Sequence, residues 1–253
     1  DASFRPDGEG APSGSQATVP VGILEGGPYI DTTGGRMVSY DLPPKTVVLT
    51  FDDGPDPQWT PQVLEVLARH GVKATFFVVG TEAARYPDIV RDMVEQGHDL
   101  GVHTFTHPDL AALSPQLRGL EYSQTQMALA AAAGVTTPMI RFPYSSGASS
   151  LHDTTWPLVL EAGQAGYIVV MSSVDSRDWE TPGVQRIVEA SIPPDGESGV
   201  VLLHDAGGDR SQTVAALDRL IPILKQRGYQ FMTASEGLRV AQALAGVDPA
   251  LVE

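Results

Sequence analysis

Residues 46–71, TVVLTFDDGPDPQWTPQVLEVLARHG, decide the fold. Thr46–Phe51 is a continuous apolar, β-branched run, the pattern of a strand buried on both faces. From Thr60 to Gly71 the pattern becomes helical, with Thr60 as N-cap, Pro61 at the first helical position and Gly71 at the end. Together they make one βα unit. At the junction Asp52 and Asp53 stand side by side, followed at once by Gly54 and Pro55. Neighbouring residues at a strand end point in opposite directions, and buried carboxylates without counter-charge are expensive. Taken alone, Asp-Asp before Gly-Pro is an ordinary turn.

The unit recurs. Strands are expected at 74–80, 98–102, 139–144, 167–172 and 199–204, and helices at 86–97, 114–134, 155–166, 182–191 and 211–228. Ser114 reads as an N-cap, and Pro222 is expected to bend the helix that contains it. A short strand and a final helix follow. About seven βα pairs with no fixed repeat predict an α/β fold, a parallel (β/α) barrel, with an open doubly wound sheet as the second reading. Residues 1–20 are rich in Gly, Pro, Ser and Asp, so 1–35 reads as a flexible N-terminal extension or linker and 36–253 as the functional domain.

The chain has 253 residues, 42% of them apolar, enough for one large domain of the barrel kind. Lys and Arg number 16 against 31 Asp and Glu, a net charge of −15 that repels phosphate backbones and anionic lipid. Nucleic-acid binding is thereby excluded as an expectation. No run approaches the ~18 apolar residues of a membrane span, so no membrane insertion by this chain is expected. With no cysteine, disulfides, Cys-ligated zinc and thiol catalysis are ruled out. The chain begins at Asp1, so a trimmed or mature form is expected.

In a βα barrel the chemistry sits where strands end. There the sequence offers Asp52 and Asp53, then His103 and His107, then Arg141 and Tyr144. Asp175, Asp178 and Trp179 follow, then His204 and Asp205. Each has a plain reading as a turn, a capped strand end, an ion-pair partner or core. Their recurrence at strand ends of one barrel has none. His103 and His107 are four apart, which on a helical turn puts both imidazoles on one face. Pro108 ends such a turn. Two imidazoles and a carboxylate leave coordination positions open, as a catalytic metal site requires. Zinc fits these ligands. The same set describes a non-haem iron triad, but that triad usually carries its first His and its acid two residues apart, unlike here. His70 reads as a helix-end residue, His98 as core and His152 as loop, and Trp59 and Trp156 as packing.

The segments TFDDGP, HTFTH, RFPY, DSRDW and LLHD, in this order, resemble the five motifs of the polysaccharide deacetylases, the NodB-homology domain of carbohydrate esterase family 4. The resemblance runs from about Thr46 to Gln242. It implies a distorted (β/α) barrel and a divalent metal, Zn2+ or another such as Co2+. It also implies hydrolytic N-deacetylation of N-acetylglucosamine polymers such as chitooligosaccharide or peptidoglycan. Asp52 is then the general base and Arg141 holds it. Asp53, His103 and His107 bind the metal, and Tyr144 offers its backbone N–H to the oxyanion. Asp178 pairs with the acid His204, Asp175 being the second choice, and Tyr144 and Trp179 meet the substrate. An O-acetyl esterase on acetylxylan and a non-catalytic carbohydrate-binding domain are the alternatives. RFPYSSG lacks the Gly that commonly follows Tyr144, and Val102 stands where Asn or Ser often precedes the first histidine. The tail from His204 to Phe231 is similar to deacetylase modules fused to family 2 glycosyltransferases in some bacteria. A monomeric, extracellular or cell-surface bacterial domain is the expectation.

The chemistry makes the same demand. An amide is a poor electrophile with a poor leaving group, and enzymes remove barriers of ~8–23 kcal/mol. Acid–base help of ~10²–10⁴-fold supplies only about 3–5 kcal/mol. An Asp–His pair alone falls short, and a metal must polarise the acyl group.

Overall fold

The computed structural model describes residues 18–145 and 147–247. Its strands are β1 (Tyr29–Asp31), β2 (Val38–Tyr40), β3 (Thr46–Asp52), β4 (Thr75–Val78) and β5 (Asp99–Val102), then β6 (Met139–Ile140), β7 (Ile168–Val170), β8 (Val174–Asp175), β9 (Gly199–His204) and β10 (Gln230–Met232). Its α-helices are α1 (Val21–Leu24), α2 (Thr60–His70), α3 (Gly80–Arg85), α4 (Pro87–Glu95) and α5 (Pro115–Ala133), then α6 (Trp156–Gln164), α7 (Val184–Ala190), α8 (Ser211–Gln226) and α9 (Ala234–Leu244).

Seven strands run parallel in the order β7-β6-β5-β4-β3-β9-β8, and β10 joins the first half of β3, also parallel. β7 and β8 lie on opposite sides of this row, yet only Met171–Ser173 separate them in the chain. That linker reaches at most about 15 Å, so the row has to curl. The result is the distorted barrel, with no ladder between β7 and β8 among the described residues.

The N-terminal region departs from the sequence reading. β1 pairs antiparallel with β7, and β2 antiparallel with β1, so the sheet is mixed and 18–35 is not a flexible extension. Tyr29, Ile30 and Asp31 are all buried. A three-residue strand is too short to show a period, and Gly26-Gly27-Pro28 before it resembles a linker. Those glycines serve close approach instead: a Cβ on Gly27 would sit 2.0 Å from the Tyr40 carbonyl oxygen. The remainder of the expected extension, residues 1–17, lies outside the described residues.

The pleat sorts β3 into two rows. Val47, Leu49 and Phe51 pack with the helices α2, α4, α7 and α8 in one apolar cluster. Val48 instead joins Phe77, Val200, Ile168 and Val170, residues of other strands, in a second. Thr50 and Asp52 follow Val48 in this inward row. Gly101 of β5 is inward too, and a Cβ there would meet the Phe77 ring at 2.3 Å. Helix α9 covers the opposite end, its first amides accepted by Thr75 Oγ1 and Asp99 Oδ2 at 2.8 Å each.

Helix ends follow the expected chemistry with one exception. Ser114 Oγ accepts the Leu117 N–H at 3.3 Å, and Gly71 and Gly134 end their helices at φ 62° and 70°. Thr60 is not an N-cap: it is the first residue of α2. Its hydroxyl accepts the Asp56 N–H at 2.8 Å and donates to buried Asp205 at 2.6 Å.

Candidate active site

The inward row carries the site. Asp52 ends β3 and stands in register with His204, which ends β9. His103 follows β5 and Arg141 follows β6, two residues on from inward Gly101 and Met139. Strand register alone thus gathers four polar groups at one end of the barrel.

Asp53 reaches the same space by a different route. Its φ is 78°, in the left-handed region, so its carboxylate is not sent to the opposite face as the next residue of an ideal strand would be. Asp is among the residues that tolerate this conformation. Asp53 Oδ1 lies 3.2 Å from His107 Nε2 and 3.5 Å from His103 Nε2. The three ligand atoms all fall within 4.8 Å of one another. His103 Nδ1 faces the Arg141 carbonyl oxygen at 2.9 Å, which makes Nδ1 a donor and turns Nε2 toward Asp53. His107 Nδ1 faces the Tyr144 hydroxyl at 3.2 Å. This donor set, one carboxylate oxygen and two oriented imidazoles with room beyond them, fits a divalent cation.

The two histidines do not share a helical face, contrary to the spacing argument. They sit on an irregular loop with left-handed residues at Thr104 (φ 67°) and His107 (φ 58°). Pro108 bars helical geometry at His107. Thr104 Oγ1 instead accepts the His107 N–H at 3.1 Å and closes the turn.

Two acid–base pairs flank the triad. Arg141 Nη1 donates to Asp52 Oδ1 at 2.8 Å and to Thr50 Oγ1 at 2.7 Å, and its Nε donates to the Val170 carbonyl oxygen at 3.1 Å. The guanidinium lies 4.2 Å above the Phe77 ring. Both Arg141 and Asp52 are buried, so each is the other's counter-charge. Asp52 Oδ2 remains on the cavity side, 3.8 Å from His103 Nε2. On the other flank Asp178 Oδ1 takes His204 Nδ1 at 2.7 Å, while Oδ2 accepts the His204 N–H at 2.9 Å and the Thr213 hydroxyl at 2.8 Å. Burial pushes the His204 imidazole down, but the Asp178 hydrogen bond and charge outweigh it, and the ring is lifted to about 9. Asp178 mirrors this: burial raises its carboxyl, and His204 brings it below the usual range. Burial also opposes the charged form of Asp53, but the His103 and His107 hydrogen bonds hold it well below the usual range.

Asp52, Asp53, His103, His107 and His204 line a cavity of about 470 Å³ together with Phe142, Tyr144, Asp175, Trp179 and Leu202. The Tyr144 side chain is 75% exposed and that of Trp179 54%, two aromatic rims on the opening. The Tyr144 N–H finds no partner among the described residues. Asp175 does not hold His204; its Oδ1 accepts the Arg177 N–H at 2.9 Å in a local turn. His98 is buried with Nδ1 accepting the Ala74 N–H, His70 pairs with Asp218, His152 faces Thr154, and Trp156 is core. Sequence reasoning passed over Thr50, Thr213 and Arg210, which hold Arg141 and Asp178. It also left Asp205 without a role. That residue is buried against Gly54 and pushed up by burial to about 7. Threonines and a surface-type Arg carry no signal until the fold brings them under a buried charged pair.

Residues 39–167 match the polysaccharide deacetylase family model. The chain belongs to the polysaccharide deacetylase family. This deacetylase is 39% identical over 206 residues to a peptidoglycan-N-acetylglucosamine deacetylase of Bacillus cereus, covering 80% of this chain and 93% of that one. It is 42% identical over 195 residues to a chitooligosaccharide deacetylase of Sinorhizobium fredii, covering 73% and 87%. The solved structure of peptidoglycan deacetylase PdaC from Bacillus subtilis superposes with a TM-score of 0.68 at 30% identity, covering 80% of this chain and 94% of that one.

Proposed function

We propose that this deacetylase hydrolyses N-acetyl groups on an N-acetylglucosamine polymer, outside the cell or at its surface, with a divalent cation, zinc by the donor set, held by Asp53, His103 and His107. The observation that carries the reading is the placement of that triad between Asp52–Arg141 and His204–Asp178, in one cavity rimmed by Tyr144 and Trp179. The family supports it, as do relatives named for peptidoglycan and chitooligosaccharide deacetylation.

A bound cation supplies Lewis acidity to the acyl oxygen and lowers the pKa of water. The residues of the chain do the rest. Asp52, its Oδ1 engaged by Arg141, uses Oδ2 to take a proton from the attacking water as the C–O bond forms. The Tyr144 N–H faces the developing oxyanion, a donor worth about 3–4 kcal/mol by analogy with other oxyanion holes. His204, charged at neutral pH and held at Nδ1 by Asp178, gives its Nε2 proton to the departing amine as the C–N bond breaks. Acetate and the free amino sugar leave. Trp179 and Tyr144 offer flat apolar faces to the sugar rings.

Acetate release from chitooligosaccharides, peptidoglycan and acetylxylan, with and without chelator, tests the proposal. Release from the N-acetyl substrates that a chelator abolishes and added zinc restores is expected. Equal release in both conditions ends it. Acetate from acetylxylan alone marks an esterase, and glycan binding without acetate from any substrate marks a binding domain.

A further inference from the structure

The loop that carries His107 owes its shape to contacts outside the cavity. Thr104 and Phe105 turn their carbonyl oxygens to the first amides of α3, those of Gly80 and Thr81, at 2.9 Å each. Their other side meets a single side chain from α5. Glu121 Oε2 accepts the Phe105 N–H and the Thr106 N–H, both at 2.7 Å, and Oε1 accepts the Thr106 hydroxyl at 2.7 Å. No cation lies within ion-pair distance of Glu121 among the described residues, so these three donors are what its carboxylate answers to. Hydrogen bonds to an ionised acceptor are the short, strong kind. Phe105, caught between the two clamps, leaves no room for a Cβ on Gly80, which would meet its ring at 2.3 Å.

We infer that Glu121 is a positioning residue for the cation site: it fixes residues 105 and 106, and through them the left-handed step that turns His107 toward Asp53 and His103. The inference rests on the proposed cation site. Without the carboxylate, two amides and a hydroxyl of the loop lose their acceptor, and His107 keeps only its Thr104 and Tyr144 bonds to hold Nε2 3.2 Å from Asp53 Oδ1. His103, fixed separately by the Arg141 carbonyl, keeps its place. The consequence is a weaker grip on the metal, with the base, acid and sugar-facing groups left intact.

The test is zinc binding to metal-free protein, by titration against a competing chelator at fixed pH, with the melting temperature of the metal-free protein recorded alongside. Glu121→Ala is expected to weaken zinc binding by about 10–100-fold, the range for removing an outer partner of a metal ligand. Deacetylation is expected to return at saturating zinc. A Glu121→Ala dissociation constant within twofold of wild type, even with a lowered melting temperature, overturns the inference, because a purely structural role moves stability and not affinity. If the Ala variant does not fold, Glu121→Asp, one methylene too short to reach all three donors, is read by the same criterion. His107→Ala separates the two layers of the argument. If it leaves zinc binding unchanged, the proposed cation site itself is wrong; if it abolishes binding while Glu121→Ala does not weaken it, only the role of Glu121 is.

Discussion

Asp178→Asn moves the basic limb of the pH–rate profile rather than lowering it uniformly. Burial pushes the His204 imidazole down, and Asp178, 2.7 Å from Nδ1, lifts it past the ordinary 6.5 to about 9. That rise is worth roughly 3 kcal/mol in favour of the charged ring. Asparagine keeps the volume and an acceptor for the His204 ring but removes the charge, so the ring falls back toward the ordinary 6.5, with burial lowering it and the Asp52 and Asp53 charges raising it. At about pH 8 the charged fraction falls from about 0.9 to about 0.03, a loss near 30-fold in protonation of the leaving amine. At about pH 6 the loss shrinks to within about twofold. Stability follows the same sign. A His raised in the folded state contributes fully below about 6.5 and loses that contribution as pH rises through about 9. The melting-temperature advantage of wild type over the variant therefore shrinks between those values. The assay is acetate release across the pH range at saturating zinc. A basic limb that does not move to lower pH in the variant, or a parallel fall at every pH, would refute the assignment of His204 as the acid tuned by Asp178.

Asp52→Asn keeps zinc affinity, measured by chelator competition, yet loses about 10²–10⁴-fold in turnover, because the base is removed and the ligand set is not. Arg141→Met leaves Asp52 buried without its counter-charge and lowers stability in urea by about 3–5 kcal/mol. Asp205 is buried and its carboxyl is raised to about 7, so its own contribution to the stability of the metal-free protein falls as pH climbs from the unfolded carboxylate value of about 4 toward 7. Asp205→Asn has no proton to lose, so its melting temperature relative to wild type is expected to rise over that interval and to exceed wild type at about pH 8.

Much of the fold is legible in the sequence because buried parallel strands announce themselves as unbroken apolar runs. TVVLTF and GVVLLH coincide with β3 and β9 to within a residue. Each strand end then exposes whatever polar residue follows. That rule suffices to bring Asp52, His103, Arg141 and His204 together, while Asp53, His107 and Asp178 are singled out by the family resemblance. What stayed hidden has physical causes. β1 is three residues long and enters after two glycines chosen for tight packing, so it resembles a linker. Thr60 satisfies every local rule for a cap, but its hydroxyl answers Asp205, 145 residues away, and no local rule can see that. The His-x3-His spacing suggests a helix. The preceding-proline constraint, read more strictly, already argues against that helix, although it does not call for the left-handed step found at His107.

The site is built by two devices that divide the labour. Pleat register delivers one group per strand: Asp52, His103, Arg141 and His204, with side chains between 0% and 14% exposed. These groups are held by the ladder and by one another. Asp53, His107 and Tyr144 come second on the same strands, and each has a left-handed backbone, while Arg177 and Thr181 bracket the turn that presents Trp179 in the same way. Among the described non-glycine residues with positive φ, only Lys45 lies away from this end of the barrel. Each such residue costs on the order of 1–3 kcal/mol and persists only where surrounding contacts over-determine it. The strain has a return that regular strand geometry cannot give. A strand turns every second side chain outward, so a cavity fed by register alone would hold four groups and no partner beside them. The left-handed steps place a second, more exposed group next to each buried one: Asp53 and His107 at 24% and 26%, Tyr144 and Trp179 higher still. The buried member sets charge and orientation, and in the proposed reaction the exposed member is the one that meets the metal or the sugar. Changes that relax the backbone at Asp53, His107 or Tyr144 are therefore expected to reach substrate or metal before they reach the core.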